Sequence, residues 1–210
     1  MDRPLTKNEF SHAINLIEMN GILMVRLRFL AMIKFQFHLV CGNDDTVHVT
    51  KDILKISQQF PQFLTIKMKG SKNVKEERNC PNQIILASLD HNSCAVLGPA
   101  LFLEKGCNDT TATGASLQCL FVEGKCDNKS ELGNVEKEIT TKGKLQYAAF
   151  LKKHVFESDV DGPFVKETTE RRLGTNSIRK SATTYRRQCG KTRDDVDYIA
   201  RWKFYRQQDQ

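Results

Sequence analysis

Leu173-Gly-Thr-Asn-Ser-Ile-Arg-Lys-Ser-Ala-Thr-Thr-Tyr185, followed by Arg201-Trp202-Lys203, sets an arginine in the first turn of a predicted helix and a basic, tryptophan-bearing helix behind it. An arginine at a helix N-terminus suits an anion: backbone N–H donors, the positive end of the dipole and a bidentate guanidinium converge on one group. Asn176 is the expected N-cap of this helix, and Gly190 its stop after Cys189. Thr192 is expected to cap a final helix that carries Asp194 and Asp195 in its first turn, the favourable sign for that end of the dipole.

Charge gathers in the same part of the chain. Residues 166–210 hold twelve Lys/Arg against six Asp/Glu, so +6 of the net +7 lies there. A basic end on a near-neutral body points to a polyanionic partner, nucleic acid before an anionic membrane; a solvated basic face is the alternative. The 210 residues, 40% hydrophobic and 27% charged, suit one soluble globular domain with a core of its own. The start, Met1-Asp-Arg-Pro-Leu-Thr, is not of signal-peptide type. The apolar run from Ile22 to Cys41 is interrupted by Arg26, Arg28, Lys34 and His38, so a buried helix is expected and a membrane span is not. Seven cysteines without a C-x-x-C spacing argue against a disulfide framework or a zinc site and for a reducing, intracellular compartment.

Outward from the C-terminal run, the patterning is mainly helical. Thr6-Lys-Asn-Glu9 is a capping box flanked by Leu5 and Phe10 as a hydrophobic staple, and Phe10, Ala13, Ile14 and Ile17 recur at helical spacing. After Gly21 comes a helix over Ile22–Val40, apolar on most sides and hence central, then a turn at Gly42-Asn-Asp-Asp45. Phe63–Lys69 and Gln83–Ser88 read as a β-hairpin with a long charged tip, and Cys94–Glu104 as a short helix kinked at Pro99. Residues 106–143 are expected to be a loop insertion, with a strand at Leu117–Val122, and Lys144–Phe156 a helix. The fold class is therefore mainly α with a small β-hairpin or sheet (α+β), in one domain spanning 1–210.

Three collinear blocks carry a family resemblance. Gly174-Thr-x-Ser-Ile-Arg-Lys180 with Asp194-Asp-Val-Asp-Tyr-x-x-Arg-Trp-Lys203 resembles the catalytic domain of eukaryotic tyrosine recombinases and integrases, in particular those of Crypton-type mobile elements. Phe35-Gln-Phe-His-Leu-Val with Asp44-Asp-Thr46, and Ser71-Lys-Asn-Val74 with Glu76-Glu-Arg78 and Pro81-x-Gln-Ile84, match in the same order. Together the blocks span roughly residues 5–204, nearly the whole chain.

The resemblance implies a chemistry in which a tyrosine hydroxyl attacks a DNA phosphodiester and leaves a 3′-phosphotyrosyl linkage. Two arginines and a His or Trp hold the phosphate oxygens, and a lysine on a β-hairpin protonates the leaving oxygen. No metal or nucleotide cofactor is required. By position, Arg179 matches the second clamping arginine, Lys72 the hairpin lysine and Trp202 the His/Trp position. The plainer readings are a surface arginine, one of several solvated lysines beside Lys67, Lys69 and Lys75, and a core tryptophan. DNA-phosphate contacts are expected from Arg171, Arg172, Asn176, Arg179, Lys180, Arg186 and Arg187.

The departures are equally specific. The first arginine is expected where Gly42 and Asn43 stand, and the motif histidine is Asn176, which cannot move a proton at neutral pH. Tyr205 is too close to Trp202 and Tyr198 precedes it, so neither fills the nucleophile position; the domain is expected to be truncated at its C-terminus. The expectation is a nuclear protein that binds double-stranded DNA, as a homo-oligomer in one version, with no membrane association and without catalytic competence in this chain. Two alternatives stay open: an active recombinase completed by a nucleophile from another subunit or a missing C-terminus, and a repurposed protein-interaction module with no DNA role.

Overall fold

A computed structural model describes residues 2–50, 53–58, 60–61, 63–68, 82–107, 121, 132–157 and 173–200, with the side chains of 106–107 and 132–139 left aside. Helix α1 (Lys7–Glu18) begins at the expected capping box: Glu9 N–H donates to Thr6 Oγ1 at 3.2 Å and Thr6 N–H to the Glu9 carboxylate at 2.8 Å. Glu9 is buried, and Arg3 grips both its oxygens at 2.9 and 2.6 Å, which offsets the cost of burying the charge. Phe10, Ala13, Ile14 and Ile17 line its inner face.

Helix α2 (Leu23–His38) runs through the middle, with eight consecutive buried residues from Phe29 to Gln36. It packs against α1 and against α4 (Leu97–Cys107). Gly98 favours the close approach in the second contact, because a Cβ there would stand 3.3 Å from Ala31 Cα, tighter than ordinary packing. Pro99 lies in the first turn of α4, where its missing N–H costs little, and not at a mid-helix kink.

The expected turn at Gly42–Asp45 is instead the start of a short helix, α3 (Asn43–Val47). Gly42 N–H bonds the Asp45 carboxylate at 3.1 Å and Thr46 Oγ1 donates back to Gly42 O at 2.9 Å, so side chains complete its ends. Strands β1 (Leu54–Ile56), β2 (Phe63–Lys67) and β3 (Asn82–Leu86) form an antiparallel sheet in that order, with Leu64 opposite both Ile56 and Ile85. The two expected strands pair antiparallel, the charged tip expected between them lies outside the described residues, and β1 is an additional edge strand. Leu64, Ile66 and Ile85 face the core while Ile84 and Leu86 face outward.

The loop expected over 106–143 is helical at both ends: α4 reaches Cys107, and α5 (Leu132–Leu151) starts well before Lys144. The strand expected at Leu117–Val122 lies outside the described residues except for Phe121, which is buried edge-on against Phe35 at 5.5 Å. A π-helical turn, Lys152–Phe156, ends α5. Helices α6 (Thr175–Gln188) and α7 (Arg193–Ile199) follow. Gly190 (φ +85°) lets its own N–H reach Arg187 O at 3.0 Å and Lys191 N–H reach Arg186 O at 3.1 Å, the two bonds of a Schellman stop. Among the described residues no helix is long and apolar enough to cross a membrane.

Candidate nucleic-acid interface

The start of α6 is fixed from inside the protein. Gln36, wholly buried on α2, donates to Thr175 O at 2.8 Å and accepts from the Tyr147 hydroxyl of α5 at 3.1 Å. Burial holds the Tyr147 phenol neutral, well above its ordinary range, so it acts only as this donor. Gly174, and not Asn176, is the N-cap of α6, and its N–H donates to Ser177 Oγ at 3.0 Å. Asn176 is exposed in the first turn instead. Ser177 and Ser181 lie on the buried side with Ile178 and Ala182, which turns Arg179 away from the α2 contact.

Arg179 sits where three elements meet. Its Nη2 donates to Ala200 O, just past α7, at 2.9 Å, and its Nη1 lies 3.7 Å from the point a Cβ on Gly42 would occupy. Gly42, where the family resemblance leads one to expect an arginine, therefore faces Arg179 in space. It has no side chain. Asn43, beside it, turns its amide to Lys144 O at 3.1 Å.

The backbone on the α2 side is tightly determined. Helix α2 ends in a Schellman stop whose left-handed residue is Val40 (φ +50°), with Cys41 N–H on Gln36 O at 3.1 Å. A β-branched residue in that conformation is strained. It is held by burial of Val40 against Ala182 and Ala200, the same residue whose carbonyl anchors Arg179. Gln83 of β3 closes the group by donating to Ile199 O at 2.5 Å.

The remaining expected contacts divide in two. Arg187 is exposed in the last turn of α6. Arg186 is half-buried: its Nη2 bonds His38 O at 2.6 Å, and burial lowers its pKa. Lys180 donates to the Asp2 carbonyl. Lys72, Trp202, Arg171 and Arg172 lie outside the described residues. Sequence reasoning missed Gln36; its one signal was a lone amide among phenylalanines in the Phe35–Val40 block.

His38 stands behind Arg186. Its Nε2 donates to Ser93 O at 3.0 Å, and burial lowers its pKa, with Arg186 and Lys34 acting in the same direction.

No family model and no curated protein sequence matches the chain. Solved structures do. The XerH site-specific recombinase bound to its difH substrate in a pre-cleavage complex matches with a TM-score of 0.55 at 12% identity, over 95% of this chain and 47% of that one. The XerA recombinase matches with a TM-score of 0.50 at 10% identity, over 95% of this chain and 55% of that one. The fold is that of tyrosine-recombinase catalytic domains, and the chain spans about half the length of either neighbour.

Proposed function

We propose that this chain is a double-stranded-DNA-binding protein of tyrosine-recombinase descent, from a eukaryotic Crypton-type mobile element, that has lost the strand-cleaving chemistry. The observation that carries this reading is the guanidinium of Arg179 facing Gly42, a residue without a side chain where the resemblance places another arginine. One arginine beside a helix N-terminus is enough to hold a phosphodiester. It leaves uncompensated the charge that a second arginine stabilises in the transition state, a deficit of about 3 kcal/mol or more by comparison with other oxyanion-stabilising donors. Asn176 supports the same conclusion, since an amide donates a hydrogen bond and transfers no proton.

In this reading Asn176 and Arg187, exposed on α6, and the half-buried Arg179 contact the phosphate backbone, and in the sequence Arg171 and Arg172 extend the same basic tract. Contacts of this kind are indifferent to sequence and sensitive to salt. Lys72 and Trp202 are remnants of the catalytic set, the acting species on DNA is a homo-oligomer, and the protein works in the nucleus. A nicked suicide duplex tests the loss of chemistry. Binding without a covalent adduct is the expected result. An adduct would show an active recombinase completed by another subunit's nucleophile, and no binding even at low salt would favour a protein-interaction module.

A further inference from the structure

On the side of α6 away from Arg179 lies a cavity of about 500 Å³, within the roughly 300–1,000 Å³ of small-molecule clefts. Ser181, Thr184, Tyr185 and Gln188 line it at the spacing of a single helix face. Helix α1, the end of α2 and the turn at Asp90–Ser93 supply the other walls. The apolar wall is aromatic: the rings of Phe10 and Phe37 stack at 4.3 Å, and Phe37 meets Tyr185 at 5.9 Å. Tyr185 remains 44% exposed, with ring surface that a bound molecule would cover.

The polar wall is rich in acceptors. Asp90 Oδ1 accepts from Asn92 N–H at 3.0 Å, and this bond, with the Ser93 hydroxyl, keeps the carboxyl below its ordinary range. Asn92 Oδ1 is buried and has no hydrogen-bond partner among the described residues. An acceptor in that state is a cost that a donor on a bound molecule relieves. His38, whose Nε2 is committed to Ser93 O, is held neutral by burial and brings no positive charge. Lys7, exposed at the start of α1, is the other charged lining residue. Aromatic surface beside a carboxylate and an open acceptor is complementary to a cation on an apolar body. We infer that this cavity binds a small organic cation, its flat apolar body against Phe10, Phe37 and Tyr185 and its ammonium or guanidinium head toward Asp90 and Asn92. The site is separate from the Arg179 contact and does not depend on DNA binding.

The test titrates the full chain with naphthylethylamine, naphthylethanol and naphthylacetate, followed by ligand-observed NMR. The three share one flat body and carry a cation, a neutral hydroxyl and an anion. Wild type is expected to bind the amine about two- to fivefold tighter than the alcohol, the span of an exposed charge pair, and the acid weakest. Asp90→Asn should erase the preference for the amine and leave the alcohol unchanged. Thr184→Trp, at an exposed lining position, fills the cavity and should weaken amine and alcohol alike. Thermal unfolding identifies a variant that has lost its fold, and the wild-type ranking of the three probes decides without it. No binding of the amine, equal binding of amine and alcohol, or tighter binding of the acid overturns the site. So does a preference that survives Asp90→Asn, or amine binding untouched by Thr184→Trp, in folded protein.

Discussion

Removing the Gln36 amide should loosen the start of α6 by a calculable amount. Gln36→Leu deletes a 2.8 Å bond to Thr175 O and the 3.1 Å acceptor of the Tyr147 hydroxyl, both inside the core. The Thr175 carbonyl keeps its helical partner, so that loss is about 1 kcal/mol; the buried hydroxyl left without an acceptor adds about 1–3 kcal/mol. The single substitution should therefore cost about 2–4 kcal/mol, or roughly 5–15 °C in Tm for a chain of this size. Tyr147→Phe keeps the ring stacked 5.7 Å from Phe29 and strands Gln36 Oε1 instead, at about 1–2 kcal/mol. In the double variant both partners are apolar and neither group is stranded. The double cost should then fall short of the sum by about 1–2 kcal/mol. Urea unfolding of the four proteins, with midpoints and slopes fitted together, measures this coupling. Additivity within about 0.3 kcal/mol would refute the shared buried bond, and with it the claim that α2 and α5 fix α6 through Gln36.

Two further outcomes follow from the same region. At Val40 the left-handed backbone reverses the usual order of small residues: Val40→Gly should be more stable than Val40→Ala by about 1 kcal/mol, and Ala equal to or above Gly would disprove the strain. His38 is held neutral by burial, so its folded pKa lies below the ordinary 6.5. Between those two values the unfolded chain binds the proton and the folded chain does not, so stability is lost as pH falls from about 6.5 and is full above it. His38→Gln, which retains a donor for Ser93 O, should flatten that part of the stability–pH curve; an unchanged difference across pH would contradict the assignment.

Much of this architecture could be read from the residues because local and global preferences agree. Thr6 and Glu9 meet as a capping box, the all-round apolar α2 is the central helix, and Gly190 stops α6 as a left-handed residue should. The departures occur where tertiary contacts override composition. Asn43-Asp-Asp45 has turn chemistry, yet Asp45 and Thr46 bond Gly42 and wind it into α3. Gly133, Gly143 and the Thr140–Thr141 pair argue against a helix, but α5 buries Thr140 and Tyr147 and stays helical through them. The three residues of β1 are too few for a period to show. At the candidate site, Arg179 and the lack of an arginine at positions 42–43 were legible only through the family resemblance. That the two positions face each other was not, since the approach depends on how α3 and α7 close around α6.

The account stands most directly on Arg179 as a phosphate contact. Arg179→Gln removes the charge and retains an amide donor for Ala200 O, so the fold should persist while the anion contact is lost. Duplex binding measured between about 50 and about 200 mM salt should be tight and steeply salt-dependent for wild type. The variant should bind more weakly on every sequence, with a slope reduced by about 1. A folded variant with unchanged affinity and slope, or a wild type that does not bind duplex DNA at the lowest salt, would contradict the account.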